Sequence, residues 1–189
     1  MSHLIALYRS AASVLSSADG ALGLIARFFF AAILLAYFWA SGLTKIGDGA
    51  LGLFSPSTGA YAQIFPRAME AAGYDAGALG LLHTLVVVAG TWAEFILPAL
   101  IVTGLATRLA ALGMIGFVGV QSLTDLIGHG LWAERQAVGA WFDRAPDSII
   151  MDQRALWVFL LLVLVIKGAG ALSLDRLIDP LIRRRMAAP

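Results

Sequence analysis

Residues 22–46, "LGLIARFFFAAILLAYFWASGLTKI", carry only Arg27 and Lys45 as charged groups, and Tyr37 and Trp39 fall toward the far end of the run. A helix needs about 20 mostly apolar residues to cross a bilayer, and this run meets that length. Three further runs do the same: "LGLLHTLVVVAGTWAEFILPALIVTG" at 79–104, "RLAALGMIGFVGVQSLTDLIG" at 108–128 and "RALWVFLLLVLVIKGAGAL" at 154–172. Strand-type alternation is weak throughout, and a membrane barrel closes only with many more segments than four. The expectation is therefore an all-α, four-helix transmembrane bundle. Its second and third spans should form an antiparallel hairpin through the tight "LATR" turn at 105–108.

Composition narrows the function. Of the 189 residues, 60% are hydrophobic and 13% charged, against about 25% charged in an ordinary soluble domain. A net charge of +1 argues against a nucleic-acid-binding surface. There is no cysteine, which removes structural disulfides, thiolate nucleophiles, CxxC redox pairs and cysteine metal sites. Nor is there a GxSxG, a phosphate-binding GxxxxGK[ST] or a dinucleotide fingerprint. "GAGALS" at 168–173 follows a span and has no third glycine. A stand-alone enzyme of the soluble type is not expected, and an electron centre, if one is used, is expected in a partner protein.

Basic residues set the expected orientation. Arg9, Arg27, Arg108, Lys167, Arg176, Arg183, Arg184 and Arg185 share one side with Asp19, Asp175 and Asp179. That side, which holds both termini, should be cytoplasmic. Lys45, Arg67, Arg135, Arg144 and Arg154 lie on the other side with seven acidic residues, so the two long loops should face the periplasm or exterior. Those loops, "GAYAQIFPRAMEAAGYDAG" (59–77) and "GLWAERQAVGAWFDRAPDS" (130–148), have helix-like apolar spacing. They read as short interfacial helices or as a lid over a pocket between the spans. The N-terminal segment 1–20, with Leu4, Leu7, Ala11, Val14 and Leu15 at helical spacing, lacks the order of a cleaved signal and reads as a surface-lying helix or an ordinary docking helix. Residues 22–178 then form the membrane domain and 179–189 a basic cytoplasmic tail.

Ionisable groups inside a bilayer cost roughly 2.5 to 3.5 kcal/mol each on insertion scales, so they face the bundle interior with partners. Glu94 lies about 15 Å from the inner end of its helix, near mid-bilayer. Arg27 or Lys167 should pair with it; alternatively it carries a proton or holds a ligand head group. In "GVQSLTDLIGHG" (119–130) the spacing of Gln121, Asp125 and His129 makes a single polar stripe if the helix continues. His129 sits between Gly128 and Gly130, so the helix can end before it. This stripe is expected level with Lys45, His83, Asp152 and Arg154, a convergence of all four helices at one end. It reads as a site for an anionic head group through Lys45 and Arg154, as a metal site through His83, Asp125 and His129, or as plain structure in which Asp125 pairs with Lys45. No HxxxH or HExxH occurs, so no metal is assigned. Gly113, Gly116 and Gly119 read as helix-packing positions.

Three motifs, in order, resemble the DoxX family of small bacterial membrane proteins. Arg27 is followed by "SGLTKI" (41–46) with Gly42 and Lys45; "AEFILPALIVTGLATRLAAL" (93–112) places a Glu before Gly104 and Arg108; "KGAGALSLDRLI" (167–178) contains Gly168, Gly170, Ser173 and Asp175. The resemblance covers about 22 to 178 and implies a four-helix bundle in the bacterial inner membrane. Family members are linked to a thiosulfate:quinone oxidoreductase subunit, to thiol and oxidative stress, and to operons handling metals or modified peptides. The implied function is a subunit binding a quinone or other small lipophilic ligand beside a redox or periplasmic partner, or in a homo-oligomer. A transport component and a membrane scaffold remain the alternatives. Two long outer insertions depart from the family pattern.

Overall fold

The computed structural model describes residues 2–49 and 51–186 and contains helices but no strand among them. Four helices are long and apolar enough to cross a membrane: Leu22–Leu43, Leu81–Thr103, Thr107–Gly128 and Ile149–Lys167. They pack in a ring in chain order, with the first span closing against the fourth. The core is filled by Phe30, Leu34 and Phe38 of the first span, Ile101 of the second, Met114 and Val118 of the third, and Leu161 and Leu164 of the fourth. The side chains turned outward are also apolar, among them Phe28, Ile33, Leu85, Leu112, Phe159 and Ile166. A helix hydrophobic all round suits lipid on its outer face.

Two boundaries differ from those expected. The first span ends at Leu43, so Lys45 lies in the turn beyond it, and the fourth begins at Ile149, which places Asp152 and Arg154 inside it. The span was expected to start at Arg154, but Ile149–Arg154 is a π-helical turn whose Arg154 is buried. Thr124–Gly128 of the third span is a second such turn. Wide π turns concentrate at functional sites in helices.

The end of the bundle that holds the 104–106 turn is locked by a clamp. Gly104, at φ +72°, ends the second span, and Leu105 N–H bonds back to the Leu100 carbonyl at 2.9 Å. Arg27 donates to the last carbonyls of that helix: Nε to Ile101 O at 3.0 Å, which also accepts from Gly104 N–H at 3.1 Å, and Nη2 to Val102 O. Arg27 Nη1 also donates to Ala169 O at 3.0 Å and to Leu172 O. Across the turn, Asp175 accepts from Ala106 N–H at 2.6 Å and Thr107 N–H at 3.0 Å, so it caps the third span from another part of the chain. Gly23 and Gly170 let the first span and this loop touch, since a Cβ on Gly23 would meet Gly168 O at 2.4 Å. Arg108 lies over Gly168, its Nε 3.3 Å from the position a Cβ would take.

Gly104→Ala is expected to destabilise the protein by about 1–3 kcal/mol. The new Cβ would stand 2.6 Å from Ser173 Cβ, on a residue of positive φ. Thermal unfolding in detergent measures the loss.

At the opposite end, the loop after the first span folds into two short helices, Thr58–Ile64 and Pro66–Ala71. Ser57 caps the first of them and Pro66 opens the second. Ala60, Tyr61 and Met69 pack on Val87 of the second span as a separate small core. The second span therefore extends past the end of the first, and these helices cover the extension. Helix Ser2–Ser17 leaves Leu4 and Leu7 exposed, whereas the side chains of Ala11, Val14 and Leu15 lie outside the described residues, as do those of Arg183, Arg184 and Arg185 in the expected basic tail.

Candidate functional site

A cavity of about 500 Å³ opens between the second and third spans beneath the helix Thr58–Ile64. Small residues make the space: Ala89, Gly90 and Ala93 on the second span face Gly113 on the third, and Leu97 and Phe117 close the floor. Most of its wall is apolar, but Lys45 and Glu94 stand in it, 6% and 2% exposed.

Lys45 comes from just beyond the first span and folds back along it. Its Nζ donates to Ser41 Oγ at 2.8 Å, to Ser41 O at 3.2 Å and to both Glu94 oxygens at 3.0 Å. Ser41 Oγ in turn donates to Glu94 Oε1 at 2.9 Å. The expected partners of Glu94, Arg27 and Lys167, are therefore corrected: Arg27 is spent on the carbonyls of the clamp. The error came from measuring depth along one helix. By the second span Glu94 is near the middle, yet the end of the first span lies level with it, Gly42 against Phe95 and Lys45 against Glu94.

Pro98 sharpens this position. It lies inside the second span and has no N–H to give to the carbonyl four residues back, which is that of Glu94. A proline four residues after Glu94 is the sequence signal that this carbonyl lacks its usual helical donor, although the helix runs on unbroken.

Asp125 is likewise corrected. Its partner is Arg154, not Lys45: Nη2 lies 2.7 Å from Asp125 Oδ2, and Nη1 donates to Ser122 Oγ at 3.1 Å. Each partner sits in a π turn, one in the third span and one in the fourth, whereas the third π turn, Ala31–Leu35 of the first span, carries no charged residue. Gln121 donates to Tyr37 Oη at 3.0 Å, while its Oε1 is buried without a protein partner. Gln121, Thr124 and Asp125 line the cavity wall opposite Lys45 and Glu94.

His129 has left the helix and caps its π turn, so the stripe reduces to Gln121 and Asp125. Its Nε2 lies 3.1 Å from the Gln63 carbonyl of the covering helix, and both residues border the cavity. His83 does not join them. Its ring packs edge-on against Phe65, centroids 4.8 Å apart, and it stands eleven residues from Glu94 in sequence, about 16 Å along the helix. No group of three His, Asp or Glu residues poised for a metal is present among the described residues. Gly42 packs under the Phe95 ring and Gly113 under Leu97, but a Cβ on Gly116 or Gly119 would meet nothing within 4 Å, so those two do not serve helix packing here.

No protein-family model, curated protein or solved structure matches the chain. The cavity offers a mostly apolar slot with one buried ammonium–carboxylate pair at one end and amide, hydroxyl and carboxylate groups at the other.

Proposed function

We propose that this chain is a DoxX-like subunit of a bacterial inner-membrane redox or stress-response system that binds a quinone or similar small lipophilic molecule between its second and third spans. Both termini are then cytoplasmic and the cavity opens toward the periplasmic side. The single observation that carries this reading is the cavity of about 500 Å³ with the buried Lys45–Glu94 pair in its apolar wall. Ligand pockets of 300–1,000 Å³ with few, well-placed polar groups are the usual form of small-molecule sites. An ionisable pair held inside a membrane is a functional feature by default. Bound there, a ring carbonyl would take a hydrogen bond from Lys45 Nζ in place of one it gives to Ser41, and its tail would run along Val86, Leu97 and Phe117 toward lipid. With no cysteine in the chain, electrons would come from a partner protein.

Gly90→Leu tests the slot itself. A Cβ at Gly90 has room, its nearest neighbour being Ile64 Cδ1 at 3.7 Å, so the larger side chain should fill the cavity while leaving the fold intact. Quinone extracted from the purified variant should fall at least about tenfold relative to the parent, with unfolding temperature unchanged or raised, because glycine inside a helix costs about 1 kcal/mol. Absence of quinone from the parent protein, and no binding of a short-chain quinone after reconstitution, would reject the reading.

One observation favours a second reading, a scaffold docking a periplasmic partner. Trp132, Trp141 and Phe142 are exposed in the loop between the third and fourth spans, and Phe142 has φ +65°. Alanine at Trp132 and Trp141 should then weaken copurification of that partner while quinone content stays constant.

A further inference from the structure

The clamp end carries a second recess, of about 460 Å³, between the start of the third span and the segment after the fourth. Three cations, Arg108, Lys167 and Arg176, border it against two carboxylates, Asp175 and Asp179. Asp175 is already occupied by the N–H groups of Ala106 and Thr107. Among the described residues no acidic side chain pairs with Arg108 or Arg176. At the floor, Thr107 is 0% exposed, and its Oγ1 has no hydrogen-bond partner. A buried hydroxyl without a partner is costly and calls for one.

We infer that this recess binds the phosphate of an anionic phospholipid, held by Arg108 and Arg176 with Thr107 Oγ1 donating from beneath. Guanidinium groups suit phosphate because their fork matches two of its oxygens. The level is that of a headgroup, since the recess lies where the third span begins and the fourth ends. A lipid rather than free phosphate fits what adjoins it. Ser173 and Arg176 also border a groove of about 540 Å³ walled by Leu172, Leu174 and Leu177, where an acyl chain would lie with Leu172 and Leu177 exposed to it. Basic recesses between spans on the cytoplasmic side are a known kind of lipid site. The inference does not depend on what fills the cavity around Glu94.

Native mass spectrometry of the full chain, offered equal amounts of phosphatidylglycerol and phosphatidylcholine, gives the test. The parent should retain the anionic lipid about tenfold over the zwitterionic one, and the double variant Arg108→Gln, Arg176→Gln should retain both alike. Both arginines are exposed and make no side-chain hydrogen bonds among the described residues, so the variant keeps its fold. Thr107→Val, nearly equal in volume, should raise the unfolding temperature without lipid and shrink the further rise that phosphatidylglycerol gives. Equal retention of the two lipids by the parent, unchanged preference in the double variant, or displacement of phosphatidylglycerol by low-millimolar inorganic phosphate would each overturn the inference.

Discussion

Lys45→Met is expected to cost the fold about 3–5 kcal/mol, because it leaves Glu94 as an uncompensated charge inside the bundle. Glu94→Leu alone should cost a similar amount by stranding the ammonium of Lys45. Combined, Lys45→Met and Glu94→Leu should recover most of the loss, since two apolar side chains of like volume replace a buried pair at little net cost. The strong coupling of the two substitutions, read by thermal or denaturant unfolding in one detergent, separates pairing from packing. Ligand binding should follow a different course: the double variant should fold and still bind no quinone. A double variant that folds and binds as the parent does would reduce the pair to structure.

Arg27→Ala should be comparably damaging. The guanidinium serves four carbonyls, of Ile101, Val102, Ala169 and Leu172, and hydrogen bonds to charged groups contribute about 1.5–3 kcal/mol each in favourable cases. They are not additive, so a loss of about 3–5 kcal/mol is the expected scale. Arg27→Lys should rescue little of it, because one ammonium cannot span carbonyls from two segments as a planar fork does. Unfolding temperatures of the two variants should therefore lie close together and well below the parent. Near-parental stability of Arg27→Lys would show that the charge, rather than the fork, holds the clamp.

The membrane-spanning architecture was legible because it depends on run length, which a sequence displays directly. Partnerships were less so. Glu94 and Lys45 are far apart in the chain, and the pairing depends on the first span stopping early and on Lys45 turning back toward Ser41. Neither is a periodic feature. Asp152 and Arg154 looked like the edge of a loop since charge usually marks an edge, yet Arg154 is buried because Asp125 and Ser122 receive it. The sequence grouped Arg27, Gly104, Gly168, Gly170, Ser173 and Asp175 as motif residues without their roles, because carbonyl capping and trans-capping are contacts to backbone and leave no side-chain pattern. A pocket between the spans was expected, but its walls were not legible. It is built from what Ala89, Gly90, Ala93 and Gly113 lack, and of the three glycines read as packing positions only Gly113 has a neighbour, whereas Gly116 and Gly119 face nothing.

The clamp also fixes how the second and third spans can move. Their shared turn is pinned by Arg27 on one flank and Asp175 on the other, while their far portions are separated by the cavity. Helices held at one end can still splay about that end. For helices of about 30 Å, an opening of about 5° at the turn displaces the far ends by about 2.5 Å. Such a hinge would widen the slot beside Glu94 without disturbing one hydrogen bond of the pivot.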